Sequence, residues 1–330
     1  MGNVEVMVEI KSTESYIKKN FKNLGRIKSL KRLSSGPNAE VHFLKTKDND
    51  YVLHEILDKQ SIIRIKQTCK ILKYLKKNKI LVQELVCSDN GSFYDLKNNC
   101  YMTKFYPGEF SNGTDIEIKG LATNIAKLHK VLEKTKISYN YEHDTDPFFN
   151  ILTESDIIRI KKIIINKINK TNFDRRILKQ LKFLDKIIHQ QSNNKRPVLR
   201  RLQLIHNDLT MKNVIFYKKN LKVFLDFDGM KKGDILEDIA FASLRFSTIS
   251  NLKKTSVEKK INIFLDSYLE ENEFSDKRLQ NLSNYSMNDL LSKLSYIIKK
   301  KYYKDDDSWI FDFEPLFRLL KCSDKISWPE

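Results

Sequence analysis

The feature that most limits the possible folds is a short β-prone stretch, residues 203–227, in a half of the chain whose apolar residues otherwise recur at helical spacing. It reads QLIHNDLTMKNVIFYKKNLKVFLDF, in which β-branched and aromatic runs are separated by polar residues. The rest of this half predicts helices near residues 116–133, 154–169, 174–191, 256–271 and 287–300. We therefore expect a largely helical lobe that carries one β-hairpin.

The first hundred residues show a different order of elements. A predicted helix at residues 12–24 leads into the turn-rich stretch LSSGPNAE. A hairpin follows, with strands at Val41–Thr46 and Tyr51–Glu55 joined by KDND. Apolar spacing then predicts a helix over Ile62–Leu75, and LVQELVCS and NCYMTKFY are the next β-prone runs.

A change from β-type to helical spacing of the apolar residues marks the border between these regions. The Pro107-Gly108 pair ends the β-rich part, and the helical part begins after a polar loop. The sequence thus predicts an α+β fold with two lobes. The small β-rich N-terminal lobe covers residues 1–106, and the large helical C-terminal lobe covers residues 107–330.

The net charge of +18 raises the question of a nucleic-acid partner. Lysines are spread along the chain, and a run such as RIKKIIINKINK alternates them with isoleucines at helical spacing. We interpret such runs as the solvated faces of amphipathic helices. We therefore expect neither a nucleic-acid partner nor a membrane partner, and the sequence predicts no particular oligomeric state.

The cysteines and the length of the apolar runs indicate the cellular compartment in which we expect the protein. The cysteines lack CxxC spacing and suggest neither a zinc site nor a disulfide framework. They are Cys69, Cys87, Cys100 and Cys322. No apolar run reaches the roughly 18 residues of a membrane span, and the N-terminus lacks the signature of a signal peptide. We expect a cytoplasmic protein.

Three polar residues stand where the β-prone runs of residues 203–227 end. Asp208 follows His206 by two positions, Asn213 follows Asp208 by five, and Asp226 closes an apolar strand. Asp and Asn are common in turns, so one such residue alone would indicate nothing. Together they supply a carboxylate that can deprotonate a hydroxyl and oxygen ligands suited to Mg²⁺. This set is typical of phosphoryl transfer.

The motif HNDLTMKN resembles the HxDxxxxN loop of the aminoglycoside phosphotransferase and choline kinase superfamily, and LDFDG resembles its metal-binding strand end. The stretches GLATNIAKLHKVL and EDIAFA are similar to two of its large-lobe helices. The resemblance implies a protein kinase-like fold with a catalytic β-hairpin, ATP and Mg²⁺ as cofactors, Asp208 as the base, and Asn213 and Asp226 as metal ligands. It also implies that His206 and Asp238 support the loop.

The small lobe departs from the family's pattern. The resemblance places nucleotide contacts at Ser35, Gly36, Val52, His54 and Met102. At the end of the third strand the family supplies a phosphate-binding lysine, and this chain has His54. The next helix lacks the partner glutamate, and Arg64 and Lys66 are the candidates for the missing positive charge. The loop SSGPNAE also lacks the GxGxxG pattern of protein kinases.

The acceptor is expected to be small. Only twelve positions separate Asp226 from Asp238, which leaves no room for the peptide platform of a protein kinase. The resemblance implies that the last helical region shapes an acceptor pocket, with Asp228, Trp309 and Asp312 as possible substrate contacts. The acidic run DDDSWIFDFE can bind a cationic amine or can be a solvated turn.

Two functions follow from these residues. The first is an ATP- and Mg²⁺-dependent kinase for a hydroxylated small molecule of amino alcohol, sugar, homoserine or aminoglycoside type. The second is a catalytically inactive, kinase-like protein that binds a nucleotide or ligand. The lysine replaced by His54 is the feature that favours the second.

Overall fold

The computed structural model describes residues 13–35, 39–57, 61–137, 150–193, 202–250, 253–272 and 276–328. These residues fall into two compact units. The first unit takes the described parts of Met1–Ser111, Asn124–Asn140 and Met211–Met230, and the second takes those of Asn112–Thr123, Tyr141–Thr210 and Lys231–Glu330. The predicted lobe boundary between residues 106 and 107 stays a prediction.

The first unit is built on an antiparallel sheet of order β1-β2-β3-β5-β4. The strands are β1 (Ile27–Ser35), β2 (Ala39–Thr46), β3 (Asp50–Ile56), β4 (Tyr94–Asp95) and β5 (Cys100–Lys104). Helix α1 covers residues 13–20. Helix α2 covers Ser61–Lys77. The predicted hairpin of β2 and β3 and the predicted helix α2 are confirmed.

The two faces of this sheet have different partners because side chains alternate along each strand. The first face packs against α1, and its buried cluster includes Ile17, Phe21, Leu44, Leu53 and Met102. The second face packs against α2, and its cluster contains Ile56, Ile65, Cys69 and Tyr101. The second face also carries Val52 and His54, which pair across the sheet with Thr103 and Tyr101.

Two β assignments from the sequence need correction. Strand β1 was not predicted, because bulges between Ile27 and Ser29 and between Arg32 and Ser34 break the alternation of its side chains. The strand predicted in LVQELVCS is wrong, since only isolated bridges form there. Val82 pairs with Phe224 and Leu85 pairs with Thr103, so the backbone partners of this segment belong to two different elements.

A hairpin from beyond residue 106 belongs to the first unit. Its strands are β7 (Val214–Tyr217) and β8 (Asn220–Phe224). Glu109 and Phe216 exchange two backbone hydrogen bonds of 2.8 and 2.9 Å. Gly108 permits this approach, because a Cβ atom there would overlap Ile215 and the Phe216 carbonyl. The hairpin predicted from the sequence is thereby confirmed.

The second unit contains most of the helices and a two-stranded ribbon of β6 and β9. The helices are α4 (Glu154–Ile165), α5 (Asn172–Asn193), α6 (Ile235–Ser247), α7 (Lys254–Glu271), α8 (Leu282–Lys304) and α9 (Phe313–Ser323). Helix α3 (Asp115–Glu133) begins in this unit, and its remaining residues are in the first. The ribbon pairs β6 (Leu202–Ile205) with β9 (Lys231–Asp234).

Helix α6 forms the centre of the second unit. It packs against α7 and α8, and Ile239, Leu244 and Phe246 on it are buried. A capping box of Asp234 and Glu237 fixes its start. The five helices predicted for this half of the chain are all present, whereas α9 was not among them.

The helices of the described residues were also compared with the requirements of a membrane span. None of them is both long enough and apolar enough to cross a bilayer.

Candidate active site

The loop after β6 is held by one buried carboxylate. The Asp238 side chain accepts hydrogen bonds from the backbone N–H of His206 at 2.8 Å and of Asn207 at 2.7 Å. Asn207 is in the left-handed region, with a φ of 67°, a conformation that Asn tolerates better than most residues. His206 is fully buried. The loop that presents Asp208 therefore has a fixed backbone.

The position of Asp238 explains why it can serve this loop. It lies in the first turn of α6, where the unpaired N–H groups of the helix favour a negative charge. Its side chain is only 2% exposed, so both backbone bonds are shielded from water. The predicted supporting residues, His206 and Asp238, are thus in direct contact.

Arg245 on α6 lies near three carboxylates of the second unit. Burial lowers the pKa of Arg245, and the charges of Asp208, Asp289 and Asp312 oppose that shift. Its Nε atom is buried and makes no hydrogen bond with any described residue. The structure therefore brings the predicted residues Asp208 and Asp312 to one cation, together with Asp289, which the sequence did not single out.

The aromatic ring of Phe241 contacts both Arg245 and a second cation. The Arg245 guanidinium lies 4.5 Å from the centre of the Phe241 ring, and Lys293 Nζ lies 3.7 Å from it. Lys293 also pairs with Asp289 at 2.9 Å. The sequence contains a signal that could have identified this group, namely two pairs of residues at i and i+4 spacing. These pairs are Phe241 with Arg245 on α6 and Asp289 with Lys293 on α8.

Trp309, predicted as a substrate contact, lies in the same unit. Its ring packs edge-to-face against Tyr296 with centroids 6.0 Å apart, and its side chain is half-buried. Asp312 follows in the short turn that leads into α9.

The two predicted metal ligands lie side by side in the first unit. Asn213 ends a short 3-10 turn before β7, and its carbonyl accepts a hydrogen bond of 2.8 Å from Leu225 N–H. This bond joins the two open ends of the hairpin, because Leu225 directly precedes Asp226. The Asp226 backbone is left-handed, with a φ of 56°, and its N–H donates to Gln83 Oε1 at 3.3 Å. The Asp226 side chain is exposed.

The half-buried Asp228 and the buried Tyr101 form a polar group beside this pair. The Tyr101 hydroxyl donates to Asp228 Oδ2 at 3.3 Å. Burial raises the pKa of Asp228, while the Thr68 hydroxyl, the Arg64 charge and the Tyr101 hydroxyl oppose the rise. Burial also raises the pKa of Tyr101, and the charges of Asp228 and Asp226 add to that shift.

His54 extends this group along the second face of the sheet. Its ring is stacked on that of Tyr101, with centroids 4.5 Å apart and planes 2° apart. Its Nε2 lies 3.1 Å from Thr103 Oγ1. Burial lowers the pKa of His54 to about 4, so the ring is neutral near neutral pH.

Of the other residues predicted to contact nucleotide, those that the structure describes lie in different parts of the sheet. Val52 is buried on the same face as His54, whereas Met102 alternates to the first face and is buried in the cluster under α1. Ser35 ends β1, where its backbone pairs with Glu40. Gly36 lies outside the described residues. The structure thus brings Val52 and His54 together, and it does not bring Met102 to them.

Comparison with known structures shows the fold. The chain is similar to a spectinomycin phosphotransferase in complex with ADP and spectinomycin, at 13% identity and a TM-score of 0.66, covering 96% of this chain and 97% of that one. It is similar to an amicoumacin kinase in complex with AMP-PNP and Ca²⁺, at 12% identity and a TM-score of 0.66, covering 98% and 96%. The choline kinase LicA from Streptococcus pneumoniae matches at 14% identity and a TM-score of 0.56, covering 94% and 99%.

Comparison of the sequence alone gives the family. A search of curated proteins finds no match. The sequence model described as the phosphotransferase enzyme family matches residues 29–253, which is more than half of the chain and includes the whole stretch from His206 to Asp226. The predicted resemblance and the protein kinase-like fold are therefore confirmed, and the chain belongs to the phosphotransferase enzyme family.

Proposed function

We propose that this protein is a Mg²⁺-dependent kinase that transfers the γ-phosphate of ATP to a hydroxyl group of a small molecule. The observation that carries the proposal is the loop at Asp208, whose backbone is held by two hydrogen bonds to Asp238 inside the segment matched by the family. Nucleotide binding is assigned to the first unit, and activation of the acceptor is assigned to the second.

Asp208 acts as the general base. Its carboxylate takes the proton of the acceptor hydroxyl while that oxygen forms a bond to the γ-phosphorus. The bond between the γ-phosphorus and the bridging oxygen breaks, and ADP leaves. The positive charge of Arg245 lies near the Asp208 carboxylate.

Asn213 and Asp226 hold the magnesium ion. The residues fit this ion, because an amide side chain and an exposed carboxylate are carried by neighbouring backbone positions at the end of a hairpin. Mg²⁺ prefers such oxygen ligands and keeps water and substrate phosphates for its remaining positions. When bound, the ion neutralises charge on the β- and γ-phosphates.

Arg64 supplies the positive charge that the family takes from a strand lysine. His54 is neutral and stacked on Tyr101, so it cannot provide that charge at neutral pH. Arg64 on α2 is half-buried and interacts electrostatically with Asp228, whereas Lys66 on the same helix is exposed. Phosphate binding is thus assigned to the helix.

The acceptor is a hydroxylated molecule that also carries an amine. Asp289 and Asp312 lie near Asp208 around Arg245, and they offer carboxylates for a cationic group. One of the similar structures contains spectinomycin, and another is a choline kinase. An aminoglycoside, amino sugar or amino alcohol fits the same chemistry.

One observation favours a second function. Because His54 is neutral where the family has lysine, a protein that binds nucleotide without turnover has direct support. In that function Asp208 has no kinetic role. The two functions differ in whether ADP is released in an acceptor-dependent way.

A screen for ADP release tests the proposal. The full chain is incubated with ATP and Mg²⁺ over a panel of amino alcohols, sugars, homoserine and aminoglycosides, and the Asp208→Asn protein serves as the blank. The proposal expects ADP release above the blank with at least one acceptor. Nucleotide binding without ADP release from any acceptor would favour the inactive binding protein.

A further inference from the structure

A buried polar cluster lies on the first face of the sheet, beneath α1. It consists of Glu40 and His42 on β2 and Glu55 on β3. Glu40 pairs directly with Glu55 across the two strands, and His42 is two positions along, so the three side chains share one face. Glu40 is 7% exposed and His42 is 1% exposed. Such groups are costly to bury in an apolar core unless they have partners.

The imidazole of His42 has no hydrogen-bond partner among the described residues. Both Nδ1 and Nε2 are buried, and neither makes a hydrogen bond. Nε2 lies 3.5 Å from Glu40 Oε2 and 3.7 Å from Glu55 Oε2. These separations exceed the upper end of the usual 2.7–3.2 Å range of an N–H···O bond by about 0.3 and 0.5 Å. Three ligand-type atoms thus converge without bonding to one another.

The other carboxylate oxygen of each glutamate accepts a hydrogen bond from a residue outside the cluster. Arg32 donates to Glu40 Oε1 at 3.1 Å, and the Thr13 hydroxyl donates to Glu55 Oε1 at 3.3 Å. Each glutamate therefore has one oxygen held by a neighbour and one oxygen directed at His42. Outer partners of this kind orient the ligands of metal sites.

The geometry points to a binding site for a divalent transition metal, which we propose is held by His42 Nε2, Glu40 Oε2 and Glu55 Oε2. One ligand atom from each residue lies within 4.8 Å of the others. A tetrahedral zinc ion with bonds of about 2.0–2.1 Å separates its ligands by roughly 3.3–3.4 Å, close to the two His42 separations. Water fills the fourth position.

The ligand set indicates the class of metal. An imidazole with two carboxylates suits zinc or a similar first-row ion, because imidazole is a poor ligand for Mg²⁺. The Glu55 side chain is 26% exposed and offers the way in. The bound ion would join β2 to β3 on the face opposite His54. It would also satisfy His42, which the phosphotransfer reaction does not use.

Zinc uptake by the full chain tests the proposal. The protein is stripped with a chelator and dialysed against micromolar Zn²⁺ in excess Mg²⁺, which saturates oxygen-only sites, and the bound zinc is measured. Wild type is expected to bind one more zinc ion per chain than Glu55→Gln or His42→Gln, each of which weakens binding at least about tenfold. His189→Gln changes an exposed histidine elsewhere and should bind zinc as wild type does.

Two further readouts keep the test independent of folding failure. Glu55→Gln is isosteric and half-exposed, so it retains the fold if His42→Gln does not. Cobalt should give the visible spectrum of a tetrahedral site in wild type and not in Glu55→Gln, and zinc should raise the melting temperature of wild type only. Equal zinc uptake by wild type and Glu55→Gln, or no uptake by wild type, would overturn the proposal.

Discussion

The loop around Asp208 and the region of β3 and α2 differ in how closely they follow the pattern of the family. In the loop, His206, Asp208 and Asp238 all match the pattern, and two backbone hydrogen bonds join the loop to Asp238. In β3 and α2, His54 replaces the expected lysine and no glutamate is present on the helix. The loop keeps the residues of the pattern, whereas β3 and α2 lack the lysine and its partner glutamate.

The difference reflects the kind of interaction that each region provides. A general base needs its carboxylate at one place, and a fixed backbone supplies that place. A positive charge acts over several ångströms, so a side chain from another element can provide it. Arg64 on α2 is for this reason the proposed replacement for the lysine on β3.

The largest expected effect is that of Asp208→Asn on turnover. Loss of the base should lower kcat by roughly 10²–10⁴-fold while leaving ATP affinity unchanged. Steady-state kinetics and calorimetry on the same preparation check both parts. Asp266→Asn changes an exposed carboxylate on α7 and serves as the matched control. Normal turnover by Asp208→Asn would break the assignment of the loop.

Asp226→Ala should remove the dependence of nucleotide binding on magnesium. The exposed carboxylate is one of the two proposed ligands, so affinity for ATP in Mg²⁺ should fall at least about tenfold. Affinity measured in the presence of a chelator should change little. Calorimetry with and without Mg²⁺ separates the two cases, and an unchanged affinity in Mg²⁺ contradicts the metal role.

Asp238→Ala should destabilise the loop itself. The change leaves the buried N–H groups of His206 and Asn207 without their acceptor, which should cost about 2–4 kcal/mol of unfolding free energy. Urea denaturation measures this loss, with Asp266→Asn as the control. A free energy of unfolding within error of wild type would show that the two bonds do not hold the loop.

Arg64→Ala tests the role proposed for α2 in phosphate binding. If α2 supplies the phosphate charge, the KM for ATP should rise by about tenfold, which corresponds to one charged hydrogen bond. Lys66→Ala, on the exposed side of the same helix, should leave this KM unchanged. Equal effects of the two variants would mean that the helix contributes only general positive charge.

The smallest expected effect concerns the acid stability of His54. Its pKa is lowered to about 4 in the folded protein, so between pH 6.5 and 4 the unfolded state binds a proton that the folded state does not. Stability from this residue is present above pH 6.5 and is lost progressively as the pH falls towards 4. His54→Gln should lose less stability than wild type between pH 7.5 and pH 5, as urea denaturation can show.

The sequence singled out the loop residues because each stands where an apolar run ends, and their roles stay predictions. It missed β1, whose bulges hide the alternation, and it placed Met102 with the nucleotide contacts although strand alternation directs that side chain to α1. Arg245 and Asp289 were not identified, since their approach to Asp208 depends on the packing of α6 against α8. Spacing along one chain segment carries no information on such packing.

Analysis of the reaction products tests the central claim most directly. The wild-type protein is incubated with ATP, Mg²⁺ and the best acceptor from the screen, and products are identified by mass spectrometry and phosphorus NMR. A phosphate ester on an acceptor hydroxyl, formed in equal amount to ADP and absent with Asp208→Asn, is the predicted result. ADP formed without a phosphorylated acceptor, or an ester formed equally by Asp208→Asn, would contradict it.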